Sequence, residues 1–303
     1  MYILVKLLTH FQLWVAFKRV GFFNSSKSSI ETPLIIGVNH PNSFLDAMVV
    51  GASMKHRVHF ISRSGVFKHP LARMILRSVN MIPIYRMSDG KHTLSNNDAT
   101  FEEVRKILVK GEHVLIFVEG FCTRKDTLQT PLKKGAPRML TQAWNDGLDV
   151  KLMPVWVRYS SLEDFGKELD INFGEPFGKE KIDTRLENGA LMFAINKETE
   201  RQLEDLSKVY NPKPKAISKA LLFIPAMLGV VTHVLLFYPL QKLAWKLRFD
   251  QYYDSILFCL LAFLYPVYIL AIAGIVYYQF GALYALISLL LLPLLAKSFV
   301  LWK

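Results

Sequence analysis

The segment PLIIGVN at residues 33–39 runs directly into HPNSFLDAMVV at residues 40–50, and this junction decides the fold. The first segment is almost entirely apolar, as in strands buried on both faces of a sheet. The second begins with proline and polar residues and continues with apolar ones, a pattern typical of a helix that starts after a loop. Buried strands followed by helices build parallel sheets, so we expect an α/β domain.

The same alternation continues along the chain beyond this junction. Short apolar runs, often β-branched, predict strands at residues 33–39, 57–62, 81–85, 113–118 and 151–157. Helix-like stretches separate them at residues 43–54, 66–78, 97–110 and 134–146. A strand near residues 171–177 and a charged helix at about 185–209 follow. The sequence therefore predicts a mainly parallel sheet with crossover helices.

A second, more apolar region follows the predicted domain. Pro212 and Pro214 cannot continue a helix, so they mark a boundary and leave residues 212–303 as a C-terminal membrane region. The last two of its apolar segments match a bilayer core about 30 Å thick at about 1.5 Å per residue. The apolar segments lie at about 219–240, 255–278 and 281–300.

The placement of basic residues predicts the topology of this region. Lys and Arg favour the cytoplasmic side of short loops, and they occur at 241–253 and at the C-terminus but not at 277–281. We therefore predict a transmembrane hairpin at 255–300 with both ends cytoplasmic. The main domain would then lie on the cytoplasmic face of a bacterial inner membrane or of the endoplasmic reticulum.

The first apolar segment, at 219–240, is harder to interpret. Its sequence is interrupted by Pro225, Gly229, His233 and Pro239, so we expect it to be re-entrant or interfacial, and a full membrane crossing is the alternative. At the other end of the chain, apolar residues recur at helical spacing close to basic ones. This pattern predicts an interfacial amphipathic helix at residues 1–20, with a core-packing helix as the alternative.

Composition limits the kinds of partner. Lys and Arg number 37 against 25 Asp and Glu, a formal net charge of +12 that favours anionic partners such as phospholipid head groups. The sequence contains no nucleic-acid-binding motif, so we predict no nucleic-acid partner. Its two cysteines offer no disulfide framework, which indicates a reducing compartment.

The loop between the first predicted strand and helix carries a candidate catalytic pair, His40 and Asp46. A histidine there lies at the carboxyl end of a strand, where open α/β sheets bind their ligands. Imidazole titrates near working pH, so His40 can act as a general base on a hydroxyl. A carboxylate bonded to the far ring nitrogen would fix its tautomer and stabilise the imidazolium.

The same residues also fit a structural interpretation. Ser43 and Asp46 have the spacing of a capping box, with Ser43 as the N-cap and Asp46 at N3. Side chains six positions apart on a continuous helix face away from each other. Contact between His40 and Asp46 therefore requires that His40 precede the helix, which the intervening Pro41 and Asn42 favour.

The His40–Asp46 pair resembles the first motif of the glycerophospholipid acyltransferase family, in which four residues separate a His and an Asp. Here five residues intervene, as in a variant found in some glycerol-3-phosphate acyltransferases of that superfamily. The second family motif ends in a strand followed by Arg, which resembles Ile82-Pro83-Ile84-Tyr85-Arg86. The resemblance assigns Arg86 to binding the phosphate of the acceptor.

The third and fourth family motifs also have counterparts. FVEGFCTR at 117–124 resembles Phe-Pro-Glu-Gly-Thr-Arg, with Val118 in place of proline and two residues inserted before Thr123. PLKKGA at 131–136 resembles the element that opens the next helix, and Met153-Pro154-Val155 resembles the fourth motif. The resemblance adds Glu119, Gly120 and Arg124 to the acceptor phosphate-binding residues. Further candidate substrate-binding residues are Asn39, Ser43, Thr123, Lys133 and Pro154.

The resemblance implies an acyltransferase domain at residues 21–211. Such an enzyme moves a fatty-acyl chain from acyl-CoA or acyl carrier protein to lysophosphatidate or glycerol 3-phosphate, without a cofactor or a metal. Backbone amides near Gly120 could stabilise the oxyanion. One alternative is the same fold acting on another lyso-lipid, such as an amino-acid lipid or a lipid A precursor. Another is a catalytically inactive, membrane-anchored lipid-binding protein.

Other chemistries fit the sequence less well. His56 and His59 have no carboxylate close in sequence, so we expect no zinc site. Cys122 is a second candidate nucleophile, but it has no base close in sequence. The chain also lacks a Gly-x-Ser-x-Gly elbow, which counts against a serine hydrolase.

Overall fold

The computed structural model describes residues 1–86, 90, 95–209, 219–247 and 252–303. Its strands are β1 (Arg19–Phe23), β2 (Leu34–Val38), β3 (Val58–Arg63), β4 (Met81–Ile84), β5 (His113–Phe117), β6 (Lys151–Tyr159) and β7 (Glu168–Phe173). Its helices are α1 (Tyr2–Ala16), α2 (Ser43–Ser53), α3 (Pro70–Ser78), α4 (Asn97–Val109), α5 (Gly135–Asn145), α6 (Asn188–Lys208), α7 (Lys219–Leu247), α8 (Tyr253–Phe280) and α9 (Ala282–Trp302). Short 3₁₀ helices lie at Ser25–Ser29 and Ser64–Phe67.

The strands form one sheet in the order β1-β7-β6-β2-β5-β3-β4. The pairs β1–β7, β2–β5, β2–β6, β3–β4 and β3–β5 are parallel, whereas β6–β7 is antiparallel. The prediction of a mainly parallel sheet with crossover helices is confirmed. Because β2 is central and buried on both faces, every residue from Leu34 to Val38 is buried, which explains its uninterrupted apolar sequence.

Helices cover both faces of the sheet. On one face α4, α5 and α6 contribute apolar residues such as Phe101, Leu140 and Ile195 to a continuous core. On the other face α1, α2 and the beginning of α8 contribute Leu45 and Phe258, among others. Burying one such side chain is worth about 1.5–3 kcal/mol, so these two layers hold the sheet in place.

Two local predictions need correction. The sequence assigned residues 1–20 to one helix, but α1 ends at Ala16 and an edge strand, β1, begins at Arg19. The guanidinium of Arg19 bonds the carboxylates of Glu168 and Asp170 on β7, and no local pattern reveals that pairing. The predicted helix at 66–78 is two pieces, because Pro70 takes the first position of α3 and separates it from the preceding 3₁₀ turn.

Helix α1 has one face that packs on the core, as one of the two predicted alternatives requires, and other apolar residues that stay exposed, as the interfacial alternative requires. Leu13 and Ala16 are buried against the domain, and α1 also contacts α8 and α9. Ile3, Leu4 and Leu7 remain exposed on another part of the helix. Packing on the domain therefore buries only some of the apolar residues of α1. A role of this helix at the membrane interface stays a prediction.

The C-terminal region contains three helices, α7, α8 and α9, that are long and apolar enough to cross a membrane. The expected interruption of the first segment is wrong, because α7 is continuous from Lys219 to Leu247 with Pro225 and Pro239 inside it. Neighbouring helices can compensate for a proline within a membrane helix. The predicted boundary at Pro212 and Pro214 lies outside the described residues, as does Arg248.

Helices α8 and α9 form the predicted hairpin around Gly281, whose φ of 90° suits glycine. Both open ends of the hairpin contact the α/β domain. The first turn of α8 packs on the beginning of α2 and the residue before it, and at the end of α9 the Nζ atom of Lys303 donates to the carbonyl of Phe165 at 3.1 Å. The two ends therefore lie on the same side, next to the domain.

Close packing of α7 on α9 generates a stability prediction. A Cβ atom at Gly229 would lie 2.4 Å from the carbonyl oxygen of Leu295, whereas one at Gly274 in α8 would meet nothing within 4 Å. Gly→Ala in a helix normally stabilises by about 0.5–1 kcal/mol. We expect Gly274→Ala to keep or raise the thermal unfolding midpoint in detergent and Gly229→Ala to lower it. Equal midpoints would contradict the packing described.

Candidate active site

The candidate site lies where the carboxyl ends of β2 and β5 meet. These strands are parallel neighbours, so the loops that follow them emerge at the same edge of the sheet. Two backbone bonds join the loops: the amide of Val118 donates to Val38 O at 3.1 Å, and that of Thr123 to His40 O at 3.0 Å. The first and third predicted motifs are thereby brought together.

His40 and Asp46 are in direct contact. The Nδ1 atom of His40 lies 2.9 Å from Oδ2 of Asp46, and α2 begins only at Ser43, so His40 precedes the helix as the contact requires. The imidazole stacks on the ring of Phe117 with centroids 3.7 Å apart. The ring is therefore held both at its edge and on its face.

Asp46 is completely buried, at 0% exposure. Its Oδ2 atom also accepts the backbone N–H of Asn42 at 2.8 Å, and Oδ1 accepts the hydroxyl of Tyr159 at 2.9 Å. Burial raises the pKa of Asp46, while the bonds from His40, Asn42 and Tyr159 oppose that change by favouring the carboxylate. Tyr159, on β6, was not among the predicted site residues, and its bond to Asp46 makes it part of the site.

The predicted capping box is only half present. Asn42, not Ser43, is the N-cap, and Ser43 is the first helical residue with a left-handed φ of 52°. The carboxylate of Asp46 does reach back to the N-cap amide, as the acidic member of a capping box does. Asp46 thus serves both the start of α2 and the histidine.

Glu119 requires a correction. It is buried, and its two carboxylate oxygens accept the backbone N–H groups of His40 and Gln129, each at 2.9 Å. Burial raises its pKa. A carboxylate occupied in this way ties the two loops together, and two anions repel, so its contacts favour a structural role over phosphate binding. The amide of Gly120 is also occupied, because it donates to Phe117 O at 3.1 Å, so it is not an oxyanion donor.

His40 opens onto a cleft of about 600 Å³. One part of its wall is apolar and aromatic, with Phe44, Phe60 and Ile84 among its residues. Another part is cationic and contains Arg63, Arg86 and Lys133. The cleft therefore combines an imidazole, an apolar surface and positive charge.

Two of the cationic residues were predicted and one was missed. Arg86 follows β4 and Lys133 precedes α5, as the motifs suggested. The stem of Lys133 packs over Gly120, where a Cβ atom would lie 2.7 Å from Cγ, so this glycine makes room for the lysine. Arg63 ends β3 and joins them, although an arginine at the end of a strand carries no sequence signal.

Other predicted residues lie away from the cleft. Arg124 bonds Glu163 at 2.6 Å and lines a separate depression beside α7, α8 and α9, so it does not join Arg86. Asn39 bonds both backbone groups of Val157, and Pro154 lies inside β6. These two are structural. Thr123 does not line the cleft either, and it supports the loop through His40 O. Ser43 does line it.

Cys122 lines the cleft, and its Sγ atom accepts the amide of Ser43 at 3.2 Å. Burial raises the pKa of this thiol, which disfavours the nucleophilic thiolate. Away from the cleft, His59 does have a carboxylate partner, Glu112, at 2.6 Å. Across the described ranges, no three His, Cys, Asp or Glu side chains gather in a way that could hold a metal ion.

The first turn of α8 completes the loop that carries His40. The hydroxyl of Ser255 accepts the amide of Leu45 at 3.1 Å and donates to the carbonyl of Asn42 at 2.9 Å. It therefore caps the beginning of α2 from another helix, where α2 has no side-chain cap of its own. The sequence gave no sign of this contact between residues far apart in the chain.

An ion pair accompanies this cap. The carboxylate of Asp254 accepts bonds from the side chains of Asn42 and Lys167. Burial lowers the pKa of Lys167, and Asp254 opposes that shift. Tyr252, just before α8, stacks on Phe44 with centroids 6.4 Å apart and lines the cleft. The beginning of α8, a helix long and apolar enough to cross a membrane, is thus part of the site.

Known proteins that resemble this chain include acyltransferases. Residues 19–158 match the family model described as Acyltransferase. The chain is similar to 1-acyl-sn-glycerol-3-phosphate acyltransferase BAT2, chloroplastic, of Brassica napus, with 28% identity over 132 residues, which are 41% of this chain and 36% of that protein. The crystal structure of the 1-acyl-sn-glycerophosphate (LPA) acyltransferase PlsC from Thermotoga maritima aligns with a TM-score of 0.48 and 14% identity, over 69% of this chain and 80% of that one.

These matches confirm the resemblance of the chain to the glycerophospholipid acyltransferase family. The matched residues 19–158 lie within the α/β domain and include His40, Asp46 and the third motif. The match to the Brassica napus protein spans 36% of that protein's length, so it concerns this domain.

The cap from α8 generates a prediction for Ser255→Ala. The amide of Leu45 would lose its acceptor, at a cost of about 0.5–2 kcal/mol for a helix cap. We expect kcat for acyl transfer to fall by up to roughly tenfold, the factor reached if about 1.4 kcal/mol of this cost enters the barrier through displacement of the loop that carries His40. Ser298→Ala is the matched control, since that hydroxyl bonds only Leu294 O in its own helix among the contacts found. Equal kcat in both variants would contradict a role for the cap.

Proposed function

We propose that this chain is a membrane-bound O-acyltransferase of phospholipid synthesis. It moves a fatty-acyl chain from acyl-CoA or acyl carrier protein to a hydroxyl of lysophosphatidate or glycerol 3-phosphate. The observation that supports this most directly is the 2.9 Å contact between His40 and Asp46 at a cleft with an apolar and a cationic wall. The match to the acyltransferase family model supports the same reaction class.

In the proposed mechanism His40 is the general base. Asp46 accepts the Nδ1–H of the imidazole, which leaves Nε2 as the proton acceptor. Nε2 takes the proton of the acceptor hydroxyl as its oxygen attacks the thioester carbonyl. The carbon–sulfur bond then breaks, and the departing thiolate takes the proton from the imidazolium. The mechanism uses no acyl-enzyme, metal or cofactor, and the thioester is a co-substrate.

The buried carboxylate supports the base in both of its protonation states. While the imidazole is neutral, the contact fixes its tautomer; when the proton arrives, the charges of imidazolium and carboxylate attract. Stacking on Phe117 limits rotation of the ring. Both contacts pre-organise the base, so little reorientation accompanies proton transfer.

The two walls of the cleft match the two substrates. Arg63, Arg86 and Lys133 suit a phosphate, because guanidinium and ammonium groups form charge-assisted bonds with it. The apolar wall with Phe60 and Ile84 suits the fatty-acyl chain. The three helices long and apolar enough to cross a membrane would keep the cleft where lipid acceptors reside and products remain.

The catalytic pair is tested by radiolabelled acyl transfer with protein in membranes. We expect His40→Ala to reduce kcat by about 10²–10⁴-fold, the usual contribution of a general base, without loss of membrane insertion. Asp46→Asn should also reduce kcat, because it disturbs the tautomer. His10→Ala, an exposed histidine of α1, is the control. A His40→Ala variant as active as this control would refute the mechanism, and background transfer by every variant would indicate a lipid-binding protein.

The phosphate wall is tested by comparing Arg86→Ala with Arg124→Ala. Hydrogen bonds to charged groups are worth about 1.5–3 kcal/mol, so Arg86→Ala should raise the KM for lysophosphatidate roughly tenfold or more. Arg124→Ala should change it little, because Arg124 lines a different depression. Glycerol 3-phosphate, monoacylglycerol and an amino-acid lyso-lipid serve as comparison acceptors. If Arg86→Ala affected monoacylglycerol equally, the assignment of this wall to phosphate would fail.

A further inference from the structure

Helix α3 has an apolar face that nothing in the described chain covers. Leu71, Met74 and Ile75 are 54%, 64% and 47% exposed, and the helix has no buried residue. Their spacing places them together on one face, because residues three and four apart are neighbours on a helix. Large apolar side chains scattered singly are ordinary on a surface, but three on one short helix form a patch.

The charge around this face is one-sided. Between residues 64 and 86 the sequence contains no Asp or Glu, while Lys68, Arg73 and Arg77 accompany α3. Arg73 donates to the carbonyl of Phe67 at 3.2 Å, and Arg77 pairs with Glu103 of α4. At about 100° per residue Arg77 lies about 60° from Met74, and Arg73 lies about 100° from it, so the cations follow the Met74 edge of the apolar face. An apolar face flanked by cations is typical of helices that lie in a membrane interface.

The position of α3 links this face to the cleft. The 3₁₀ turn Ser64–Phe67 connects β3 to α3, and Val66 of that turn lines the cleft together with Arg63. Phe67 is buried and anchors the turn. Another part of the lining comes from Tyr252, immediately before α8. The cleft therefore has α3 next to one boundary and the beginning of α8 at another.

We propose that α3 is a membrane-surface helix whose face of Leu71, Met74 and Ile75 inserts into an anionic bilayer beside the cleft. The occupant is lipid because the cationic flank fits anionic head groups, each Lys or Arg near such a surface being worth about 1 kcal/mol. A face of three side chains is also small for a stable protein interface, which buries about 800 Å² on each partner. Helices α7 to α9 already supply the chain with segments suited to a membrane.

A direct test places a fluorescent label on the face. The full chain carries Cys122→Ala and Cys259→Ala, with one cysteine introduced by Met74→Cys or, as the control, by Phe193→Cys. Phe193 is 69% exposed on α6, comparable with Met74. An environment-sensitive label at each position is measured in phosphatidylcholine–phosphatidylglycerol vesicles, with and without brominated acyl chains, and with iodide as an aqueous quencher.

We expect brominated lipid to remove roughly half of the emission at position 74, since an interfacial helix buries its apolar face about 5–10 Å deep. Iodide should have little effect there. The label at position 193 should be quenched by iodide and should be affected little by brominated lipid. Quenching of position 74 by iodide alone would overturn the proposal, and protection from both quenchers would overturn it in favour of a protein partner or a second copy of the chain.

A second measurement uses the unaltered chain and so does not depend on the cysteine background. Amide hydrogen exchange of residues 70–78 is compared between vesicles with phosphatidylglycerol and vesicles of phosphatidylcholine alone. We expect slower exchange with the anionic lipid, and Lys68→Gln with Arg73→Gln should remove that difference. The same exchange rate in both vesicles would reject an anionic bilayer as the occupant. Neither measurement involves acyl transfer, so the outcome is independent of the proposed function.

Discussion

The buried carboxylate of Asp46 is the constraint around which the site is built. An ionised group without exposure is costly unless hydrogen bonds compensate it, and here they come from His40, Asn42 and Tyr159. Tyr159 belongs to β6 and Asn42 precedes α2, so sheet and helix must both be in place before the carboxylate is satisfied. The position of the imidazole is therefore a property of the whole domain and not of a short motif.

A second carboxylate, Glu119, fixes the position of two loops, as Asp46 fixes the position of the imidazole. It binds one amide from each of two loop segments and so sets the distance between the strand ends that frame the cleft. The glycine after it leaves room for the stem of Lys133, which brings an ammonium group into the cationic wall. Glu119 and Gly120 therefore shape the cleft by positioning loops and side chains. The positive charges that face the cleft come from residues outside this motif.

The alternation of strands and helices could be read from the sequence because buried parallel strands need continuous apolar runs, as at β2 and β5. The His40–Asp46 contact was also predictable, because Pro41 and Asn42 favour a helix that starts after His40. The edge strand β1 could not be predicted, because its pairing with β7 includes hydrogen bonds from Arg19 to the distant carboxylates of Glu168 and Asp170. The roles of Glu119, Arg124 and Ser255 were equally hidden, because burial and contacts between distant segments leave no local pattern.

The contact between α8 and the domain has a consequence for the order of assembly. Lys167 and the loop before α2 are synthesised long before Asp254 and Ser255, which bond them. A nascent chain that has produced only the α/β domain still has an unpaired lysine at this position and an uncapped α2. The domain can reach its final form only after α8 has been synthesised and has docked. Folding of the α/β domain is therefore coupled to synthesis of the C-terminal hairpin of the same chain.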